Sequence, residues 1–166
     1  MEQPNTDFGY VMTRQFFYDA FHYLLLSELK FSKDVQLAAI AKKAIKEVSY
    51  HLRFSSDWIR RLGDGSEESH NRVQIAVNDL WIFTDELFHQ MEADKKMIEE
   101  GIGADVKALK KTYYNNISAV LKEATLEVPE MKYFRSGGKQ GIHSEHMGYL
   151  LAELQYMQRT FPNMTW

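Results

Sequence analysis

Four residues of this chain have the types and the spacing for metal chemistry: Asp19, His22, Glu47 and His51. Asp19 and His22 stand three residues apart and Glu47 and His51 four apart, so on helices each pair shares a face. Carboxylates and imidazoles projecting from facing helices are how helical bundles hold two iron or two manganese ions. A complete site of that kind takes four carboxylates and two histidines from four helices, with the histidines in Glu-x-x-His pairs. These two segments supply half of the carboxylates, and Tyr50 stands where a Glu-x-x-His motif starting at Glu47 would place its histidine. Two readings stay open. One is a di-iron or di-manganese carboxylate site, and the other is a buried hydrogen-bonded polar network in which carboxylates neutralise the histidines.

The remaining clusters carry weaker signals. His143 and His146 flank Glu145, which resembles a metal cluster but also sits at a helix start, where Ser144 and Glu145 serve as capping residues. Lys107, Lys110 and Lys111 suit either an anionic thioester ligand or a solvated helix face. Arg60-Arg61 complements the dipole at a helix end. The chain has no phosphate loop, no GxSxG, no HExxH and no dinucleotide fingerprint.

Helices must position these groups, because apolar residues recur at three- and four-residue steps through most of the chain. A first helix is expected over Phe8 to Lys30, apolar on several sides, with Gln15, Asp19 and His22 on one stripe. A second is expected over Ser32 to Leu62, about 45 Å long at 1.5 Å per residue. Its stripe of Ile40, Ala44, Glu47, His51, Phe54 and Trp58 predicts a buried seam carrying the second pair. Gly63-Asp64-Gly65 stops it, with glycine suited to a left-handed cap. Ser66, followed by Glu67 and Glu68, starts a third helix expected to run to Glu100. A fourth covers Ala104 to Ala124, residues Thr125 to Gly141 read as an irregular connection, and a last helix covers Ser144 to Thr160. The prediction is an all-α fold of five main helices in a single domain spanning 1–166.

Composition narrows the class further. The chain has 166 residues, 45% of them apolar, enough for a substantial core. A net charge of −3 argues against a nucleic-acid footprint, which needs clustered excess Lys and Arg. No window approaches 18 uninterrupted apolar residues, so no membrane span is expected, and MEQPNTDFGY lacks the pattern of a secretory signal. The absence of cysteine excludes disulfides and thiolate metal sites and suits a cytoplasmic location.

Three long strings then carry a resemblance: DAFHYLLL (Asp19 to Leu26), KEVSYHLRFSSDWIRRLGDGSEESH (Lys46 to His70) and GGKQGIHSEHMGYLLAELQYMQRTFPNMTW (Gly137 to Trp166). With EQPN at Glu2 to Asn5, they resemble the PaaC subunits of bacterial phenylacetyl-CoA epoxidase, the ring 1,2-phenylacetyl-CoA monooxygenase. The resemblance implies a ferritin-like helical bundle that is the non-catalytic, structural partner of a homologous subunit carrying the di-iron centre. It also implies a small associated subunit, a reductase supplying electrons from NADPH, and a place in aerobic phenylacetate catabolism. No cofactor and no catalytic residue is expected in this chain, and Asp19, His22, Glu47 and His51 become pseudo-site positions.

Members of that family begin with two further bundle helices, which this sequence lacks before EQPN. Without them the first two helices would leave a large apolar face open. The expectation is a homodimer, a higher oligomer or a partner-bound chain. The competing expectations are an autonomous di-iron oxygenase completing its site by dimerisation, and a truncated helical interaction protein.

Overall fold

Asp7 turns an extended lead-in into the first helix, its carboxylate accepting the Tyr10 N–H at 2.8 Å. The computed structural model describes residues 2–130 and 133–165. These fall into two compact units, residues 5–136 and residues 2–4 with 137–165. Among the described residues there is no strand. The all-α expectation holds.

In the larger unit, α1 (Phe8–Leu29) and α2 (Val35–Gly63) form a helical hairpin, and α3 (Glu67–Trp81), α4 (Glu92–Glu99) and α5 (Val106–Glu123) follow. Asp34 caps α2 by accepting from Leu37 N at 2.9 Å, and Ser66 caps α3 by accepting from Ser69 N at 3.2 Å. The main core lies among α1, α3 and α5. Phe16, Phe17 and Phe21 pack with Val73, Val77, Leu80 and Trp81 and with Tyr113, Ile117 and Leu121. Helix α1 touches α2, α3 and α5, which explains its apolar residues on several sides. Helix α2 gives this core a single fully buried side chain larger than alanine, Ile59. A smaller cluster of Leu26, Ala41 and Val48 ties the far end of the hairpin together.

Two expectations need correction. The third helix does not run to Glu100: it ends at Trp81, a 3-10 turn spans Thr84–Phe88, and α4 starts afresh at Glu92. The break has no Gly or Pro to announce it. Side chains and distant backbone take over the helical hydrogen bonds instead: Thr84 Oγ1 bonds the Trp81 carbonyl at 2.8 Å and the Tyr114 hydroxyl at 2.9 Å. The Ile82 carbonyl accepts from Arg135 N at 2.9 Å. Asp94 then accepts from Met91 N at 2.8 Å and begins α4.

The second correction concerns Gly63, which closes α2 without a left-handed conformation. Its missing side chain serves close packing. A Cβ there would overlap the Ala124 carbonyl oxygen and lie 2.9 Å from Ala124 Cβ. The last carbonyls of this helix are taken up by neighbouring elements. Ser69 Oγ donates to Leu62 O at 2.7 Å, and Gly63 O accepts from His70 Nδ1 at 2.7 Å and from Thr125 Oγ1 at 3.2 Å. The segment between Gly63 and His70 is therefore a joint between α2, α3 and the end of α5.

The smaller unit holds α6 (His146–Leu154) and α7 (Tyr156–Thr160), the expected last helix interrupted at Gln155. The connection from Thr125 to Gly141 is irregular as expected apart from a short 3-10 turn at Gly138–Gln140, and Met131 and Lys132 in it lie outside the described residues.

Candidate functional site

The α1–α2 hairpin brings the four sequence-predicted residues to one pair of helices but sorts them by depth. Asp19 is fully buried at 1% exposure. Both of its oxygens are committed. Oδ1 accepts from Gln15 Nε2 at 2.6 Å, one helical turn earlier, and Oδ2 accepts from Ser55 Oγ at 2.8 Å across the hairpin. Ser55 also has the His51 carbonyl at 2.9 Å and the Leu52 carbonyl at 3.3 Å, so its single proton has alternative acceptors. Among the described residues no buried side-chain polar atom lacks a partner. Burial of Asp19 without such partners would be costly, and these two donors are what make it tolerable.

The other three residues stand progressively further out. His22 is half-buried one turn beyond Asp19, its ring 5.2 Å from the ring of Tyr18. Desolvation pushes its pKa below the ordinary 6.5, the nearby Asp19 pulls it up, and His51 pushes it down. Glu47 and His51 approach only to 3.9 Å, and the Glu47 side chain is 76% exposed. The seam predicted from the α2 stripe exists, but it faces outward. The reason lies in the hairpin: Ala41, Val48, Ser55 and Ile59 are the α2 residues turned to α1 and the core, which rotates Glu47 and Phe54 away.

The donors are committed elsewhere or stand apart. Both oxygens of Asp19 are engaged by Gln15 and Ser55, and among the described residues no three His, Asp or Glu side chains converge. The polar network present is also not the one expected, because a glutamine and a serine, rather than histidines, satisfy the buried carboxylate. Gln15 was legible on the stripe of α1. Ser55 was not, because a serine in mid-helix gives no sequence signal of its cross-helix partner.

The outward face of α2 is instead an aromatic strip. Tyr50 and Phe54 stack at 6.2 Å, Phe54 meets Trp58 edge-on at 6.3 Å, and Trp58 meets Phe8 of α1 at 5.0 Å. Arg53 lies 5.6 Å over Tyr50 and Arg61 5.6 Å over Trp58. Ile40, Tyr50, Phe54 and Phe8 are 56%, 55%, 44% and 49% exposed. A run of exposed aromatics flanked by arginine has the composition of protein-interface hot spots.

The weaker clusters resolve simply. Lys110 pairs with Asp85, while Lys107 and Lys111 are exposed. Arg60 binds Glu123 at 2.6 Å, joining the ends of α2 and α5. His143 and Ser144 share a carboxylate from the other end of the chain, Glu2, and Glu145 caps nothing with its side chain. The capping role expected of Ser144 and Glu145 is not seen: Ser144 bonds Glu2 just before α6, and no side chain caps the helix.

Comparison with known proteins joins these features to a lineage. The family model described as phenylacetic acid catabolic protein matches residues 1–166. The chain belongs to this family. Within the phenylacetic acid catabolic proteins it is 48% identical to the PaaC subunit of the 1,2-phenylacetyl-CoA epoxidase of Escherichia coli (strain K12) over 166 residues, which is 100% of this chain and 67% of that relative. The family fold is ferritin-like and helical, in agreement with the architecture seen here. No helix among the described residues is long and apolar enough to cross a membrane.

Proposed function

We propose that this chain is a structural, non-catalytic subunit of a 1,2-phenylacetyl-CoA epoxidase in phenylacetate catabolism. It would support a homologous ferritin-like subunit that carries the di-iron centre and receives electrons originating from NADPH. A cytoplasmic location follows from this role. The observation that carries the reading is the state of the pseudo-site. Its buried carboxylate, Asp19, is hydrogen-bonded on one oxygen by Gln15 and on the other by Ser55. The two outer ligand-type residues, Glu47 and His51, stand 3.9 Å apart on an exposed face. The similarity to a PaaC subunit supplies the class of complex. The aromatic strip of Tyr50, Phe54 and Trp58 with Phe8 supplies a surface for a helical partner of that fold.

Co-expression with a catalytic subunit of such an epoxidase tests this. A stoichiometric complex is expected, and Tyr50→Ser with Phe54→Ser is expected to weaken it about tenfold or more without lowering the melting temperature. Failure of the wild-type chain to form the complex would overturn the proposal. A second reading rests on the exposure of Glu47 and His51, which leaves both open to ligands supplied by another copy. On that reading the chain is an autonomous di-iron oxygenase completed by dimerisation. It predicts a dimer that gains iron under anaerobic Fe(II) and loses it in Glu47→Ala.

A further inference from the structure

Helix α6 begins without a cap of its own: Glu145 holds the N-cap position and its side chain bonds no backbone group of the first turn. Neither α6 nor α7 contains a buried residue, and Tyr149, Leu154 and Tyr156 are largely exposed. Helices of nine and five residues are too short to persist in water on local hydrogen bonds alone, since nucleation is unfavourable and few bonds repay it. Something outside them must hold this segment helical.

A contact just before α6 comes from residue 2. Glu2 Oε2 accepts from Ser144 N at 2.6 Å and from Ser144 Oγ at 2.6 Å, and Oε1 accepts from His143 Nδ1 at 2.8 Å. A carboxylate with donors on both oxygens, placed just before a helix start, combines charge-assisted hydrogen bonds with the positive end of the helix dipole. The Ser144 bonds, followed by that of His143, hold the Glu2 carboxyl down at about 2, so it stays charged across the physiological range.

We propose that Glu2 is a latch, a carboxylate that ties down His143 and Ser144 immediately before α6 in the absence of a local capping side chain and so keeps α6 and α7, within residues 146–160, helical. Loss of the carboxylate releases that segment, while the body over residues 5–136 keeps its own core.

Hydrogen exchange read by mass spectrometry on the full chain tests the latch. In Glu2→Ala, peptides within 143–160 are expected to exchange about tenfold faster, as befits loss of charge-assisted bonds. Those from α3 and α5 are expected to stay at wild-type rates. Ser144→Ala, which keeps the backbone N–H bond, is expected to fall between Glu2→Ala and the wild type. Wild-type exchange of 143–160 in Glu2→Ala would overturn the proposal. So would a wild-type segment with no protection, or a Glu2→Ala variant in which α3 and α5 loosen to the same degree.

Discussion

Replacing Asp19 by asparagine and by alanine separates a satisfied polar network from every reading in which the charge itself matters. In Asp19→Asn, the retained Oδ1 still accepts from Gln15 Nε2, the contact seen at 2.6 Å. The new Nδ2 faces Ser55 Oγ and donates to it, provided the hydroxyl turns its own proton elsewhere. It has a place to turn, because the His51 carbonyl lies 2.9 Å away. Both contacts at position 19 are kept, and the second Nδ2 hydrogen, which gains no partner, brings the expected cost to about 1 kcal/mol. In Asp19→Ala, both acceptors vanish at a position only 1% exposed. Gln15, on the exposed side of α1, recovers a partner in water, and Ser55 keeps the His51 carbonyl. What is lost is two charge-type hydrogen bonds and some packing, offset by the removed desolvation of a carboxylate, for a net of about 2 kcal/mol. For a chain of this size that corresponds to a melting shift of roughly 4–8 °C. Urea unfolding followed by far-UV circular dichroism, with thermal melts beside it, reads both variants. The reasoning is refuted if asparagine costs as much as alanine, or if alanine costs nothing.

Three further outcomes are expected. Gly63→Ala is expected to destabilise by about 2–3 kcal/mol from overpacking, against the roughly 1 kcal/mol that alanine ordinarily gains in a helix. A denaturant midpoint equal to or above wild type would dismiss the close approach of Gly63 to Ala124. His22 has a folded pKa below its unfolded 6.5 because burial disfavours the charged ring. The unfolded chain therefore binds more protons, and stability from this group is complete above pH 6.5 and lost as pH falls through the lower, folded pKa. His22→Gln should flatten that acid limb just below pH 6.5, and an unchanged slope would show that His22 is not its source. Tyr113→Phe removes a hydroxyl that donates to the Phe17 carbonyl at 3.2 Å in the fully buried core. The cost expected from equilibrium unfolding is about 1 kcal/mol, and a more stable variant would show that this bond contributes nothing.

Most helix positions were legible in the sequence because their signals are local. Asp34 and Ser66 sit where caps belong, and the apolar steps of α1, α2 and α5 run to within a few residues of the observed ends. The break after Trp81 was hidden because Thr84, Tyr114 and Arg135 impose it through hydrogen bonds from distant parts of the chain. The same limit applies at the candidate site. Spacing showed that Glu47 and His51 share a stripe with Phe54 and Trp58, but which way the stripe faces depends on how α2 rolls against α1. The deeper residues Ala41, Val48, Ser55 and Ile59 decide that roll. Gly63 is the complementary case: its residue type stood out, but its reason, contact with Ala124, lay far along the chain.

The central claim is that this chain supports an iron-bearing partner without holding iron itself. Its most direct test is iron counted per chain. The chain and a catalytic epoxidase subunit are assembled under anaerobic Fe(II), the complex is isolated, and the two chains are separated without chelator and assayed. The account predicts iron with the catalytic subunit and a substoichiometric trace with this chain. Stoichiometric iron on this chain, lost in Glu47→Ala, would contradict it.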